Sequence, residues 1–305
     1  MKIAFIFAGQ GAQKQGMGED FYTTYDTFKE HLDKAQTVVK NDLINIMFHH
    51  QKQLDETIHA QPAIFAFETG IVALLRAHNI VSDGSCGLSL GEYAAYYNSG
   101  VFDLNLGLTI IKERAKHMQA AANQTNSKMC ALIGDQEAAI ALENEIDNFY
   151  LANFNTPKQT VAGGSIDAID YAASIAKNYG IKRVIPLNTS GAFHTPYMQS
   201  ARDAFATFLQ SLEVKTPQKA LYLNTTGRKA KSDLKAHMAR QITEPVKFDS
   251  MIFNMIEDQF DTFITIGPDD SMASLIKKID KTQTVHAIFD VASFETTVDT
   301  LKELT

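Results

Sequence analysis

The residues with the clearest chemical potential are a serine and its two flanking glycines, in Gly87-Leu88-Ser89-Leu90-Gly91. The form G-x-S-x-G is the spacing that presents a serine hydroxyl on a sharp turn between a strand and a helix. Glycine suits the flanking positions because such a turn crowds the backbone and a Cβ would clash. Residues 90–98 downstream have a helical pattern, whereas residues 82–86 upstream form a short and unusually polar strand. We predict that Ser89 is a nucleophile; the alternative is an ordinary loop serine.

A serine nucleophile needs a base, most often histidine, and the chain has nine histidines. His194 stands in a loop, residues 190–196, between a predicted strand and a predicted helix, and such loops often carry catalytic groups. We take it as the candidate base; the alternative is a loop or helix-capping histidine. No acidic residue between Ser89 and His194 has a distinctive loop setting, so something other than a carboxylate would orient the base. Five other histidines lie in polar or helical stretches typical of the surface: His31, His49, His50, His59 and His237.

Arg114 is the next informative side chain, because the predicted helix 104–124 places it on or beside the apolar stripe. No acidic residue lies three or four positions away to pair with it. An unpartnered cation at low dielectric is costly, so the side chain either reaches to water or meets an anion from elsewhere. In the second case its guanidinium could bind a ligand carboxylate with two parallel hydrogen bonds.

The turn Gly9-Gln10-Gly11 follows the first predicted strand. Gln10 could offer its backbone N–H to an oxyanion, or the glycines could simply form a turn. A phosphate-binding loop is disfavoured, because neither G-x-G-x-x-G nor the lysine-bearing Walker pattern is present.

The elements that must position these residues alternate between strands and helices, which is typical of a parallel sheet covered by helices. Residues 126–190 follow the order β-α-β-β-α-β of a ferredoxin-like unit. The sequence therefore predicts an α/β fold with an α/β-hydrolase-like parallel-sheet core and an inserted small ferredoxin-like (βαββαβ) subdomain. The large subdomain would comprise residues 1–125 and 191–305, and the small one residues 126–190.

Composition argues against several classes of protein, among them nucleic-acid-binding and membrane proteins. The net charge of −7 disfavours nucleic acid as a partner, since that calls for a basic face. No apolar run approaches the ~20 residues of a membrane span, and residues 1–20 lack a signal-peptide pattern. The two cysteines, Cys86 and Cys130, give neither a disulfide framework nor a metal spacing. We expect a cytoplasmic protein without a membrane or nucleic-acid partner.

Several short motifs, in order and at approximate spacing over nearly the whole chain, together resemble one family. That family is the malonyl-CoA:acyl carrier protein transacylases of bacterial fatty-acid synthesis. The matching blocks are Phe7 to Gln13, Gln61-Pro62-Ala63, Gly87 to Tyr93, Arg114, Ser190 to His194 and Gln241 to Val246.

The resemblance implies roles for individual residues. Ser89 would be the nucleophile and His194 its general base, forming a Ser–His dyad. The backbone N–H groups of Gln10 and Leu90 would form the oxyanion hole. A main-chain carbonyl orients the histidine in this family, and here that carbonyl falls on Gln241.

By the same resemblance, Arg114 would bind the malonyl carboxylate. The implied reaction moves malonyl from malonyl-CoA to the phosphopantetheine thiol of acyl carrier protein through a malonyl-serine, supplying fatty-acid elongation. The implied partners are malonyl-CoA and acyl carrier protein, no metal or organic cofactor is needed, and we expect a monomer. Three departures stand out: Leu88 replaces a frequent histidine, the strand before Ser89 is more polar than is usual in the family, and Asp269-Asp270 replaces a common Gly-Lys pair.

Two alternatives from other function classes remain. A serine hydrolase or thioesterase would use the same Ser–His pair but would give the inserted subdomain and Arg114 no role. A non-catalytic scaffold that binds carrier protein would not need Ser89, His194 and Arg114 together.

Overall fold

The apolar run Ile3–Phe7 forms the first strand, and four of its five residues are buried. The computed structural model describes residues 1–231 and 233–303. The strands, in chain order, are β1 (Ile3–Phe7), β2 (Gly84–Gly87), β3 (Ser127–Ile133), β4 (Phe149–Thr156), β5 (Gln159–Ser165), β6 (Arg183–Leu187), β7 (Ala220–Leu221), β8 (Val246–Lys247), β9 (Thr262–Ile266) and β10 (Thr284–Ile288).

The helices begin with a group that the sequence patterns did not predict, α1 to α4. In chain order they are α1 (Glu19–Thr24), α2 (Asp26–Val39), α3 (Leu43–His49), α4 (Gln51–Leu54), α5 (Thr57–Ala77), α6 (Gly91–Asn98), α7 (Leu104–Asn123), α8 (Gln136–Glu145), α9 (Ile166–Ile175), α10 (Gln199–Gln210), α11 (Leu234–Arg240), α12 (Phe248–Glu257), α13 (Ser271–Ile279) and α14 (Val291–Glu303). Short 3-10 helices occupy Ala176–Tyr179 and Pro196–Met198.

The chain divides into two compact units. The first comprises Met1–Ala115, Glu213–Tyr222 and Asn254–Thr305, and the second comprises Lys116–Leu212 and Leu223–Phe253. The predicted subdomain boundaries, residues 1–125 with 191–305 and residues 126–190, stay a prediction.

The first unit is built on a parallel sheet with the strand order β10-β9-β1-β2-β7. β1 lies at its centre, where Phe5 is in register with Ser85 of β2 on one side and Ile264 of β9 on the other. Because β1 is buried, it reads as a continuous apolar run rather than as an alternating one, whereas the equally buried β9 contains two threonines.

Helix α5 of the first unit starts five residues before the helix that the sequence predicts at Pro62, so the proline lies inside the helix. A proline there removes the hydrogen bond to the carbonyl four residues earlier, on Ile58. Ile58 is an exposed residue, so the bond is lost in a turn of α5 that lies at the surface. By length and composition α5 could cross a membrane, but 83% of its apolar window is buried inside the structure, as in a core helix.

The second unit contains a sheet with the strand order β6-β3-β5-β4-β8. Its first four strands pair antiparallel, and β8 adds in parallel to β4. Helices α8 and α9 supply apolar side chains to one buried cluster with these strands. This is the ferredoxin-like arrangement, and the predicted α/β fold class is confirmed.

Candidate active site

The serine motif forms a tight connection between β2 and α6 in the first unit. Ser89 has a φ of 53°, in the left-handed region that a non-glycine residue rarely adopts. A Cβ on Gly87 would lie 2.1 Å from the carbonyl carbon of Gly91, and a Cβ on Gly91 would lie 2.4 Å from the carbonyl oxygen of Phe7. Both flanking positions therefore require glycine, and the strained backbone holds a half-buried serine at the turn.

The polar character of the strand before Ser89 has a structural reason. Ser85 is fully buried, and its Oγ lies 3.3 Å from the carbonyl oxygen of Ala95 and 3.1 Å from the Oγ of Ser99. Both partners lie at the C-terminal end of α6, where the Ala95 carbonyl also accepts from the N–H of Ser99, the residue that ends the helix. The serine in β2 thus ties the strand to the helix that follows the turn.

Arg114 on α7 is fully buried, so its side chain does not reach out to water. Its Nη1 donates to the Oε1 of Gln61 at 2.8 Å, and its Nη2 donates to the Oγ of Ser89 at 3.3 Å. The guanidinium carbon lies 5.1 Å from the centre of the Tyr93 ring, within the range of a cation–π interaction. The structure therefore brings two of the predicted site residues, Ser89 and Arg114, into contact.

The electrostatics of this cluster follow from burial. Burial lowers the pKa of Arg114 from its ordinary value, and the neighbouring Tyr93 opposes that shift. Arginine nevertheless stays protonated, because its ordinary pKa lies far above neutrality. Burial also raises the pKa of the Tyr93 hydroxyl, so this ring remains neutral beside the cation. The site thus holds a fixed positive charge next to a serine hydroxyl.

The two predicted oxyanion donors lie in the same unit. A Cβ on Gly9 would approach the Leu88 carbonyl oxygen to 2.8 Å, so the turn that carries Gln10 lies against the serine motif. Leu90 immediately precedes α6. Within residues 1–231 and 233–303, the structure gives no acceptor to the backbone N–H of Gln10 or of Leu90. Two such donors are what an oxyanion hole requires.

The Gln10 side chain belongs to a group that the sequence did not assign to the site. Its Oε1 accepts from the Nε2 of Gln61 at 3.2 Å, and its Nε2 donates to the Oγ1 of Thr57 at 3.0 Å. The Gln61-Pro62-Ala63 block pointed to the region, but no sequence signal assigned a role to Gln61 or Thr57.

His194 and Gln241 lie in the second unit. The Nδ1 of His194 lies 2.6 Å from the carbonyl oxygen of Gln241. Because a carbonyl only accepts, Nδ1 carries the proton, which makes Nε2 the basic nitrogen. His194 has a φ of 60°, a left-handed backbone like that of Ser89. The structure therefore brings the candidate base together with its predicted orienting carbonyl.

The residue that carries this carbonyl is itself held by a further amide. The Nε2 of Gln241 donates to the Oδ1 of Asn224 at 3.2 Å, and the Gln241 N–H donates to the His237 carbonyl at 2.9 Å. Both Gln241 and Asn224 are fully buried. Asn224 was not found from the sequence, since it lies in a segment without a recognisable motif.

The surroundings of other histidine and cysteine side chains argue against a catalytic or metal-binding role for them. His31, predicted at the surface, is buried instead, and its Nε2 lies 2.9 Å from the Oγ1 of Thr69, because α2 packs against α5. Cys86 and Cys130 are free and buried, and burial raises the pKa of Cys130 to about 12. In the described part of the chain, no cluster of three or more His, Cys, Asp or Glu side chains could hold a metal ion.

The acidic pair that departs from the family pattern lies at the start of α13, where Asp269 acts through its side chain and Asp270 through its main chain. The Asp269 carboxylate accepts from the Ser271 N–H at 3.0 Å, and the Asp270 carbonyl accepts from the Ser274 N–H at 3.3 Å. These bonds satisfy donors in the first turn of α13.

Comparisons with known proteins identify the family of this chain. The acyl transferase domain family matches residues 4–298. The malonyl CoA-acyl carrier protein transacylase of Bacillus subtilis is 30% identical, over 99% of this chain and 98% of its own. The crystal structure of the Clostridium perfringens transacylase of the same name has a TM-score of 0.94 at 31% identity, covering 100% of this chain and 98% of its own. A malonyl-transacylase in complex with its type II PKS acyl-carrier protein has a TM-score of 0.95 at 28% identity, covering 98% and 100%. This chain belongs to the acyl transferase domain family and, within it, to the malonyl CoA-acyl carrier protein transacylases.

Proposed function

We propose that this enzyme moves malonyl from malonyl-CoA to the phosphopantetheine thiol of an acyl carrier protein and so supplies fatty-acid elongation. The observation that carries the proposal is the 3.3 Å contact between the Nη2 of Arg114 and the Oγ of Ser89. It sets a fixed cation beside a serine on a strained turn, which suits an acyl group that bears a negative charge.

In the first half-reaction, Ser89 acts as the nucleophile and His194 as the general base. The Nε2 of His194 takes the hydroxyl proton while Oγ bonds to the thioester carbonyl carbon. The resulting oxyanion accepts from the N–H groups of Gln10 and Leu90, each contributing about 3 kcal/mol to lowering the barrier. The carbon–sulfur bond then breaks, and the CoA sulfur leaves with the proton from His194.

The second half-reaction reverses these steps with a different thiol. The phosphopantetheine thiol gives its proton to His194, and its sulfur attacks the malonyl-serine ester. The ester bond breaks, and Ser89 recovers its proton from His194. Malonyl therefore moves between two thiols through one covalent intermediate.

Arg114 selects the acyl group. The carboxylate carbon of a malonyl ester is two bonds from the ester carbonyl carbon, so a guanidinium that contacts Oγ can reach it. Acetyl has no carboxylate to offer. Losing this buried charge pair should cost about 2–5 kcal/mol in kcat/KM for malonyl-CoA.

The carrier protein is the second substrate and the main protein partner. Support comes from the related malonyl-transacylase that forms a complex with its acyl-carrier protein. The reaction uses no metal or organic cofactor, and the enzyme acts as a cytoplasmic monomer without a membrane or nucleic-acid partner.

Incubation with malonyl-CoA, followed by intact-protein mass spectrometry, tests the proposal. We expect a persistent malonyl adduct that maps to Ser89, is absent in Ser89→Ala and disappears when carrier protein is added. Rapid release of free malonate without an adduct would instead identify a hydrolase or thioesterase.

The acyl choice is tested separately with Arg114→Ala. Transfer from malonyl-CoA should fall far more than transfer from acetyl-CoA. If both fell equally, Arg114 would not be the carboxylate-binding residue.

A further inference from the structure

Four buried or half-buried side chains in the first unit form a continuous chain of hydrogen bonds, which we call the amide relay: Arg114, Gln61, Gln10 and Thr57. Arg114 donates to Gln61 at 2.8 Å, Gln61 donates to Gln10 at 3.2 Å, and Gln10 donates to Thr57 at 3.0 Å. The amide relay therefore connects the guanidinium to the first residue of α5, across the residue whose N–H is assigned to the oxyanion hole.

The hydrogen bonds of the amide relay all run in one donor-to-acceptor direction, which the arginine fixes. Arginine has donors only, so Gln61 must turn its oxygen to Arg114 and its NH₂ group to Gln10. Gln10 then presents its oxygen to Gln61, which leaves its own NH₂ group for the Thr57 hydroxyl. Each amide orientation thus depends on the next, and the series ends on a hydroxyl carried by a helix.

Because the amide relay is largely buried, the loss of any one of its hydrogen bonds is costly. Arg114, Gln61 and Thr57 are all fully buried, so water does not readily replace a lost bond there. Removing one partner from a buried pair exposes the other to the full cost of desolvation. A break at Thr57 would let the Gln10 amide turn, and Gln61 would then lose the contact that fixes its oxygen towards Arg114.

The geometry points to Thr57 and Gln61 as positioning residues that set the acyl preference of the enzyme by fixing the Arg114 guanidinium. Neither residue needs to touch the substrate. The inference rests on the proposed function, because it requires Arg114 to bind the malonyl carboxylate. It adds that specificity is anchored at Thr57, three hydrogen bonds from the guanidinium.

The test is the single-turnover acylation of Ser89 by malonyl-CoA and by acetyl-CoA, measured by rapid mixing and intact mass. Thr57→Val keeps the shape of the side chain but removes the hydroxyl. We expect the malonyl rate to fall about tenfold while the acetyl rate changes less than about twofold. Thr57→Ser, which keeps the hydroxyl, should restore the malonyl preference.

Thr69→Val is the matched control, because Thr69 is also a fully buried threonine of α5 but bonds to His31 instead. It should leave the malonyl-to-acetyl ratio unchanged. Gln10→Met provides a second break that retains the backbone N–H, and it lies at a less buried position than Thr57. It should lower the malonyl-to-acetyl ratio as Thr57→Val does, even if the latter fails to fold; only the ratio is the readout, because Gln10 is also assigned to the oxyanion hole and both absolute rates can change.

An unchanged ratio in Thr57→Val and Gln10→Met, or an equal loss for both acyl groups, would overturn the inference. Arg114→Ala separates this failure from that of the proposed function. If Arg114→Ala abolishes the malonyl preference while the relay variants keep it, the positioning role of Thr57 and Gln61 is wrong but the proposed function stands. If Arg114→Ala also keeps it, the proposed carboxylate binding itself is wrong.

Discussion

The two units hold their chemically important side chains in different ways. In the second unit, His194 is oriented by a main-chain oxygen, the carbonyl of Gln241. In the first unit, Arg114 is held by side chains, the Oε1 of Gln61 and the Oγ of Ser89. A main-chain contact persists under most substitutions of the residue that supplies it, whereas a side-chain contact is lost with that residue. The imidazole should therefore tolerate mutation of its anchor, and the guanidinium should not.

The largest loss of activity in this comparison is expected when the imidazole itself is removed. His194→Ala should lower the rate of Ser89 acylation about 10³-fold, since a general base typically contributes 10²–10⁴-fold. Stopped-flow acylation with malonyl-CoA and with acetyl-CoA should show the same loss for both. A loss confined to malonyl would give His194 a role in acyl recognition rather than in proton transfer.

The sharpest test uses one substitution at both anchors, Gln61→Met and Gln241→Met. Both glutamines are fully buried, so the two variants should lose similar stability. Gln61→Met takes the acceptor from Arg114 and should lower malonyl kcat/KM by about 2 kcal/mol, roughly 30-fold. Gln241→Met keeps the carbonyl and should stay within about threefold of wild type. Equal losses in steady-state transfer would show that the distinction between the two anchors has no functional weight.

Glu68 on α5 shows what it costs to bury a carboxyl group without a charged partner. Burial raises its pKa well above the ordinary value, and the backbone N–H of Ala8 opposes this shift only in part. The unfolded state ionises first as the pH rises, so folding must take up a proton and stability falls. Glu68→Gln should therefore stabilise the protein by an amount that grows by about 1.4 kcal/mol per pH unit above the unfolded pKa.

Thermal unfolding of wild type and Glu68→Gln at pH 5, 6 and 7 would measure this dependence. A difference in stability that does not change with pH would mean that Glu68 is charged in the folded protein.

His31 supplies the smallest test, as a buried histidine held by a side chain rather than by the main chain. Burial lowers its pKa to about 4, below the unfolded value of about 6.5. The unfolded state therefore binds the proton first as the pH falls, and stability is lost from about pH 6.5 down to about pH 4. Between pH 7 and 5.5 this amounts to about 1 kcal/mol.

His31→Gln, which keeps a polar contact for Thr69, should remove that part of the pH dependence in denaturant titrations. An unaltered pH profile in this variant would assign the acid sensitivity to other groups.

Side-chain patterns were sufficient to predict the serine turn, the place of Arg114 on or beside an apolar stripe and the ferredoxin-like order of elements, but they left open whether Arg114 reaches water. Each of these leaves a signature in the sequence: two obligatory glycines, a cation on an apolar stripe and an alternation of short strands with helices. The start of α5 was misplaced because a proline usually marks a first helical turn, whereas Pro62 lies inside the helix, five residues after its first residue.

The anchors were harder to predict from the residues alone. A carbonyl oxygen is the same on every residue, so nothing in the side chain of Gln241 marks it as a partner of His194. The Thr57–Gln10 contact joins residues 47 positions apart, and only the folded chain brings them together. His31 was misassigned for a related reason, since its burial depends on the packing of α2 against α5.

The strand order of the parallel sheet has a consequence for how the enzyme is made. β1 occupies the centre of the sheet, and its residue Ile3 is in register with Thr262 of β9, which follows much later in the chain. One edge of β1 therefore stays unpaired during synthesis until β9 has been made, and an unpaired edge invites association with other chains. We expect a chaperone, or a temporary partner on that edge, to aid folding until β9 is available.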